Sequence, residues 1–302
     1  MARQPLIDRL KQGVFLLDGG MGSQLIARQV QACKCNELLS LEAAHVIKAI
    51  HADYIQAGSD AVITNTFGAN TLCLAKHGLE DRCTEMCVAA AHNAREAAGE
   101  DRYVLGDIGP CGEFLEPLGG AKPDQLREAF AQSVRGLVQG GVDGFIIETM
   151  TALDEMTLAV EAVKSEAPTL PVLASMAFDI KPAGPRTMMG VDVSTAVQTL
   201  SGLGVTGVGF NCGTATMDQY VELAHAFVEA RNASSSACLI YAEPNAGMPD
   251  LVEEEVVYRV TGEDYAASVL KMAALGIHIF GGCCGTSPEH IGALAARLKG
   301  SL

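Results

Sequence analysis

Four stretches of the chain share one pattern of apolar and polar positions. Each is a helical stripe, then a glycine stop, then a short apolar run ending in polar or glycine residues. They are 51–60 running into Ala61-Val62-Ile63-Thr64-Asn65, 133–141 into 142–148, 196–204 into 205–211, and 266–276 into Ile277-His278-Ile279-Phe280. Glycine just past a helix is the usual C-terminal stop, and strands alternating with helices imply parallel βαβ units. Apolar runs at 14–17, 103–106, 171–175 and 238–242 fill the gaps. Helical patterns run over roughly 41–57, 83–98, 124–139, 152–166, 192–202, 217–232, 262–274 and 288–298. Eight strands, each followed by a helix, predict an α/β fold of the (β/α)8 TIM-barrel type, with residues 1–302 as one domain. A doubly wound sheet is the alternative. The turn Gly19-Gly20-Met21-Gly22 after the first strand lacks the G-x-G-x-x-G spacing such sheets carry.

In a barrel, chemistry gathers at the C-terminal ends of the strands. Those ends read Asp18, Asn65, Asp107, Glu148, Ser175, Asn211-Cys212, Glu243 and Gly282-Cys283-Cys284. Adjacent cysteines bridge each other poorly, because disulfide geometry needs differently placed Cα atoms. Their bland reading is two small buried hydrophobes. Against it, Cys212 ends the sixth strand and the cysteine pair ends the eighth, so three thiolates can converge at the mouth. Three protein ligands and an open position are the form of a catalytic zinc site. Three thiolates leave Zn2+ with a net charge of about -1, a poor Lewis acid but a good holder of a further thiolate kept reactive near neutral pH. The expected reaction is alkyl transfer to a substrate sulfur.

Two other rim features suit an amino-acid thiol. The turn Asp18-Gly19-Gly20-Met21-Gly22 is built of small residues, so its N–H groups can meet a carboxylate; the alternative is a plain strand-to-helix turn. Glu148 ends a nearly continuous apolar run and could pair with an ammonium group, or serve as a structural acceptor.

Composition narrows the class. The formal charge of -15 argues against nucleic acid or an anionic membrane surface as a partner. The N-terminus has no apolar signal-peptide core, and no run approaches the ~20 residues of a membrane span. Ten cysteines without a secretory leader read as reduced thiols in a cytoplasmic protein.

The chain resembles the zinc-dependent homocysteine S-methyltransferases over essentially its whole length. The resemblance is carried by Leu17-Asp18-Gly19-Gly20-Met21-Gly22, Thr64-Asn65-Thr66-Phe67-Gly68-Ala69-Asn70, Gly106-Asp107-Ile108-Gly109-Pro110, Glu148-Thr149, Gly209-Phe210-Asn211-Cys212, Glu243-Pro244-Asn245-Ala246-Gly247 and Gly281-Gly282-Cys283-Cys284-Gly285-Thr286. It implies zinc on Cys212, Cys283 and Cys284, with L-homocysteine bound through sulfur as fourth ligand and converted to methionine. It further implies that the turn of Asp18, Gly19, Gly20 and Met21 takes the substrate carboxylate and Glu148 its ammonium. Asn245 matches a position that can lend its oxygen to zinc before substrate arrives.

Within the family, 64–70 and 106–110 look most like the homocysteine module of cobalamin-dependent methionine synthase. The expected donor is therefore methylcobalamin on a separate corrinoid protein. S-methylmethionine, S-adenosylmethionine or betaine is the alternative, although the chain has no tryptophan to cage a quaternary ammonium and carries Gly68 where the betaine-using branch has an aromatic residue. A different thiol acceptor, or a non-catalytic zinc subunit, are the further rivals. The remaining cysteines are expected to matter less: Cys83 and Cys87 as buried packing, Cys33 and Cys35 as loop residues, and Cys73, Cys111 and Cys238 as inert thiols. His278 is expected in the core, His290 near the start of the last helix behind the Ser287-Pro288 cap, and Glu253-Glu254-Glu255 in a solvated acidic loop.

Overall fold

Alternation along the strands sorts the apolar residues into two layers. In the computed structural model, which describes residues 3–30, 34–253 and 255–300, eight parallel strands carry this alternation. They are β1 Phe15–Leu16, β2 Ala61–Ile63, β3 Tyr103–Ile108, β4 Gly144–Met150, β5 Val172–Met176, β6 Gly207–Asn211, β7 Leu239–Glu243 and β8 Ile279–Phe280. One parity, with Phe15, Tyr103, Leu105, Ile146, Leu173, Tyr241 and Ile279, packs inside the barrel. The other, with Leu16, Val104, Ile147, Ala174, Val208 and Phe280, packs outward against the helices. Successive side chains of a strand point to opposite faces, so the split follows from the sequence.

The barrel helices are α1 Ala44–Ala57, α2 Cys83–Ala98, α3 Pro123–Gln139, α4 Leu153–Glu166, α5 Val193–Gly202, α6 Met217–Ala233, α7 Gly262–Ala273 and α8 Pro288–Lys299. Their bounds follow the predicted ones closely, because the caps are in the sequence. Gly58 ends α1 in the left-handed region at φ 113°. Asp192, Thr216 and Thr261 accept amides of the first turns of α5, α6 and α7. The Ser287 N–H donates to His290 Nδ1 at 3.2 Å at the start of α8.

The sheet runs in the order β1-β8-β7-β6-β5-β4-β3-β2, so β1 and β2 stand at its two ends. Phe15 pairs with Ile279 and Leu16 with Phe280. The junction of β1 with β2 is made by other bonds. Asp60 N–H reaches the Leu16 carbonyl at 2.7 Å, and the Asp60 and Asp18 carboxylates accept the N–H groups of Leu16 and Ile63. Leu6 and Leu10 of the N-terminal segment join the interior layer. Two hairpins add to the eight predicted strands, pairing 179–181 with 184–186 and 250–252 with 255–257. The (β/α)8 expectation is met. Among the described residues, no helix is long and apolar enough to cross a membrane.

Candidate functional site

The interior parity that is apolar low in the barrel turns polar at the mouth. Tyr103 and Leu105 lead to Asp107, Ile146 to Glu148, Leu173 to Ser175, and Tyr241 to Glu243. A cavity of about 280 Å³ opens above this layer. Asp18, Asp107, Glu148 and Glu243 line it on one side and Cys212, Cys283 and Cys284 on another.

The three sulfurs lie within 4.8 Å of one another, with 3.9 Å between Cys283 and Cys284. Three sulfurs at ~2.3 Å from a tetrahedral zinc stand about 3.8 Å apart, so a donor set within 4.8 Å is of the size that ion takes. Among the described residues this is the one group of three or more metal-binding side chains. The backbone is bent to bring it together. Cys212 has φ 52° and Gly213 φ 78°, both left-handed, and a side chain on Gly213 would run into the Phe178 backbone. Cys283 donates its N–H to the Pro244 carbonyl at 3.1 Å, and Thr286 Oγ1 donates to the Cys283 carbonyl at 2.7 Å. Hydrogen bonds from the Cys283 and Cys284 thiols hold Cys212 down at about 3. Cys212 in turn pushes Cys284 up to about 11 and Cys283 well above the ordinary thiol range.

The carboxylates are held the other way. Burial raises Asp18, Asp107 and Glu243 above the usual range. The Glu148 charge then adds to the rise in Asp107 and Glu243. Burial, followed by the Cys212 thiolate, pushes Glu148 to about 7. Asp18 Oδ1, Asp107 Oδ1 and Glu243 Oε2 are buried with no hydrogen-bond partner among the described residues. A mouth lined by buried carboxyl groups favours a cationic group on whatever enters.

The predicted residues are gathered here with two adjustments. Asp18 Oδ2 is bound to the Ile63 N–H at 3.0 Å, and Gly20 gives its N–H to Thr286 Oγ1 at 3.0 Å, so that amide is engaged within the fold. The glycines are needed for closeness: a Cβ on Gly19 would lie 2.7 Å from Thr286 Oγ1, and one on Gly20 2.7 Å from the Cys283 carbonyl. Asn245 does not line the cavity. Its Oδ1 accepts the Cys284 N–H at 3.0 Å and its Nδ2 donates to the Gly213 carbonyl at 3.1 Å, so it ties both cysteine loops together, and its side chain hydrogen-bonds the Cys212 sulfur as well.

Sequence reasoning missed Glu37, brought to the cavity by the loop before α1. Its Oε1 accepts the Gly68 N–H at 2.7 Å. It also missed His51, wholly buried on α1 with Nδ1 3.9 Å from Asp18 Oδ2. The buried stripe Ile47, Ile50, His51 and Tyr54 of α1 was readable as a helix face, but not the carboxylate it meets. Phe67, 43% exposed, stands at the mouth.

The other cysteines behave as packing groups. Cys83 and Cys87 donate to the Ala69 carbonyl at 3.1 and 3.6 Å, Cys73 donates to the Cys111 carbonyl at 3.0 Å, and Cys238 bonds Ser201 at 3.1 Å. His278 bonds the Leu10 carbonyl at 2.9 Å, away from the site. Cys33 and Glu254 lie outside the described residues.

A family model described as homocysteine S-methyltransferase matches residues 15–298. The methionine synthase of Mycobacterium tuberculosis is 32% identical over 310 residues, which cover 97% of this chain and 25% of that protein. The methionine synthase of Mycobacterium leprae is 31% identical with the same coverage. The chain thus spans about a quarter of the length of these curated relatives. Among solved structures, the metallated form of homocysteine methyltransferase MmuM from Escherichia coli superposes with a TM-score of 0.73. The match covers 95% of this chain and 97% of that one at 24% identity, a likeness of fold.

Proposed function

The chain belongs to the homocysteine S-methyltransferase family, and on that premise we propose that it transfers a methyl group to the thiol of L-homocysteine, giving methionine. The observation that carries this is the cluster of three cysteine sulfurs within 4.8 Å, set against buried carboxylates in one cavity. Cys212, Cys283 and Cys284 would hold zinc, which when bound keeps an added thiol ionised near neutral pH. The protein's own groups do the rest. Glu148, poised at about 7 by burial, releases its proton to solvent as an ammonium group arrives and then pairs with it as a carboxylate. The small-residue turn after Asp18 leaves room for the substrate carboxylate. Asn245 keeps both cysteine loops in register.

For the donor we favour a methylcorrinoid carried by a separate protein or module. The resemblance of 64–70 and 106–110 to the methionine synthase module supports it, as do the curated relatives of that name. Position 68 is glycine, so no aromatic ring walls the cavity there, and a Cβ would require Glu37 Oε1, 2.8 Å away, to shift. A sulfonium donor is the second reading, favoured by the exposed Phe67 ring beside the carboxylates.

The test supplies zinc-loaded, reduced protein with L-homocysteine and, in separate tubes, methylcobalamin, S-methylmethionine, S-adenosylmethionine or betaine, and measures methionine. Turnover with methylcobalamin alone supports the corrinoid donor. Turnover with a sulfonium alone moves the assignment to the second reading. Zinc-loaded protein that fails to bind homocysteine at all overturns the acceptor.

A further inference from the structure

Asn211 ends β6 with its side chain wholly buried and both ends of the carboxamide engaged. Oδ1 accepts the Thr149 N–H and the Ser175 hydroxyl, each at 2.8 Å. Nδ2 donates to Glu148 Oε2 at 2.6 Å and Thr149 Oγ1 at 2.7 Å, and lies 3.7 Å from Cys283 Sγ. One planar group therefore touches the acidic and the sulfur sides of the cavity.

Glu148 needs that support. The pairing of β4 with β5 shifts register between Ile147 and Met150, so the regular ladder does not hold the two residues between. Thr149 is left-handed at φ 61°, costly for a β-branched residue unless its surroundings enforce it. The Asn211 carboxamide supplies the enforcement, taking the Thr149 N–H and hydroxyl and the Glu148 carboxylate at once. The next residue in the chain is Cys212, so the same backbone that carries this amide carries a sulfur of the cluster.

We propose that Asn211 is a positioning residue that sets the span between the Glu148 carboxylate and the cysteine cluster, and so selects thiols that carry an ammonium group at homocysteine's distance from sulfur. The assignment rests on Glu148 as ammonium receptor and the cluster as thiol site. Rigid donors locked by neighbours discriminate better than mobile ones, because a misplaced charge loses its partner.

The experiment measures calorimetric affinity of zinc-loaded protein for L-homocysteine, L-cysteine and 4-mercaptobutyrate, which lacks the ammonium group, with metal content assayed alongside. Wild type is expected to prefer homocysteine. Asn211→Ala should retain metal and lose about tenfold or more of the preference over 4-mercaptobutyrate, the size of a lost charge-assisted contact. It should also narrow the gap between homocysteine and cysteine. Glu148→Ala combined with Asn211→Ala should be no worse than Glu148→Ala alone, since both act through one contact. Unchanged preferences in Asn211→Ala, or fully additive losses, overturn the role of Asn211. If that variant fails to fold, Ser175→Ala, which removes one hydroxyl from the carboxamide, carries the test. A several-fold loss of preference there supports the role and an unchanged preference overturns it. Wild-type protein that binds none of these thiols overturns the homocysteine reading, and this proposal with it.

Discussion

Leu16 donates its N–H to Asp60 Oδ2 at 2.8 Å while Asp60 returns its own N–H to the Leu16 carbonyl at 2.7 Å. This exchange closes the barrel where β1 meets β2. Lys299 lies 2.9 Å and Arg9 3.5 Å from the same carboxylate oxygen. Asp60→Ala would leave a buried N–H and nearby cations without their partner. We expect a loss of roughly 2–4 kcal/mol in urea unfolding, and a smaller loss for Asp60→Asn, which keeps an acceptor. The seam is on the stability side of the barrel, so the folded variant should bind metal as wild type does. An unchanged urea midpoint in Asp60→Ala would show that the seam is held elsewhere.

Cys212→Ser and Cys283→Ser should each lower zinc affinity by more than about 100-fold, beyond what loss of a supporting hydrogen bond does, and abolish methyl transfer with it. Cys238→Ser should do neither, because Cys238 is bonded to Ser201 away from the cavity. Chelator competition reads the affinity. A cluster variant that kept metal and turnover would remove that residue from the ligand set.

Gly213→Ala tests the backbone behind the cluster. The new methyl would meet the Phe178 backbone at a left-handed position, φ 78°. We expect about 1–3 kcal/mol of destabilisation and a misplaced Cys212. The variant should bind zinc more weakly than wild type while keeping its far-UV circular dichroism. Wild-type zinc affinity would mean that the loop adapts.

Burial lifts Glu148 to about 7, above the ~4.3 of an unfolded carboxyl. The folded state therefore binds this proton more tightly than the unfolded state. Its stabilising contribution is full below the unfolded value and is lost as pH rises through about 7. Metal-free protein should melt lower at pH 8 than at pH 6, by roughly 2 °C for the titration of this one group. Glu148→Gln should shrink that difference. An equal pH dependence in both proteins would assign the effect to other groups.

Glu148→Ala should weaken homocysteine binding by about tenfold or more while leaving zinc in place. Calorimetry on the zinc-loaded variant checks it, and an unaltered affinity would take Glu148 out of the substrate site.

Much of this site was legible before the fold was seen. Strand parity places Asp107, Glu148 and Glu243 on the interior column above Leu105, Ile146 and Tyr241, and glycine stops mark where four of the strands begin. Cys212 and the Cys283-Cys284 pair follow from the ends of β6 and β8. What stayed hidden depends on tertiary geometry. Glu37 arrives on a short 3-10 turn, 36–38, and no local pattern marks it as facing Gly68. His51 belongs to an ordinary buried helix stripe until Asp18 is seen beneath it. Asn245 is placed near the metal by resemblance; its carboxamide bonds the Cys284 amide and the Gly213 carbonyl, and its side chain also hydrogen-bonds the Cys212 sulfur. The hairpins at 179–186 and 250–257 are too short for a two-residue period to stand out.

The cysteines that meet in the cluster are far apart along the chain. Cys212 and Cys283 are separated by about 70 residues that carry α6, β7 and α7. An ion gripping both would act as a cross-link, shutting that stretch into a loop even when the rest of the chain is denatured. Closing a loop of this length withdraws roughly 4 kcal/mol of freedom from the unfolded chain in the entropic treatment. Such an ion would then also clamp this part of the barrel, and stripping it would loosen the site and the fold together.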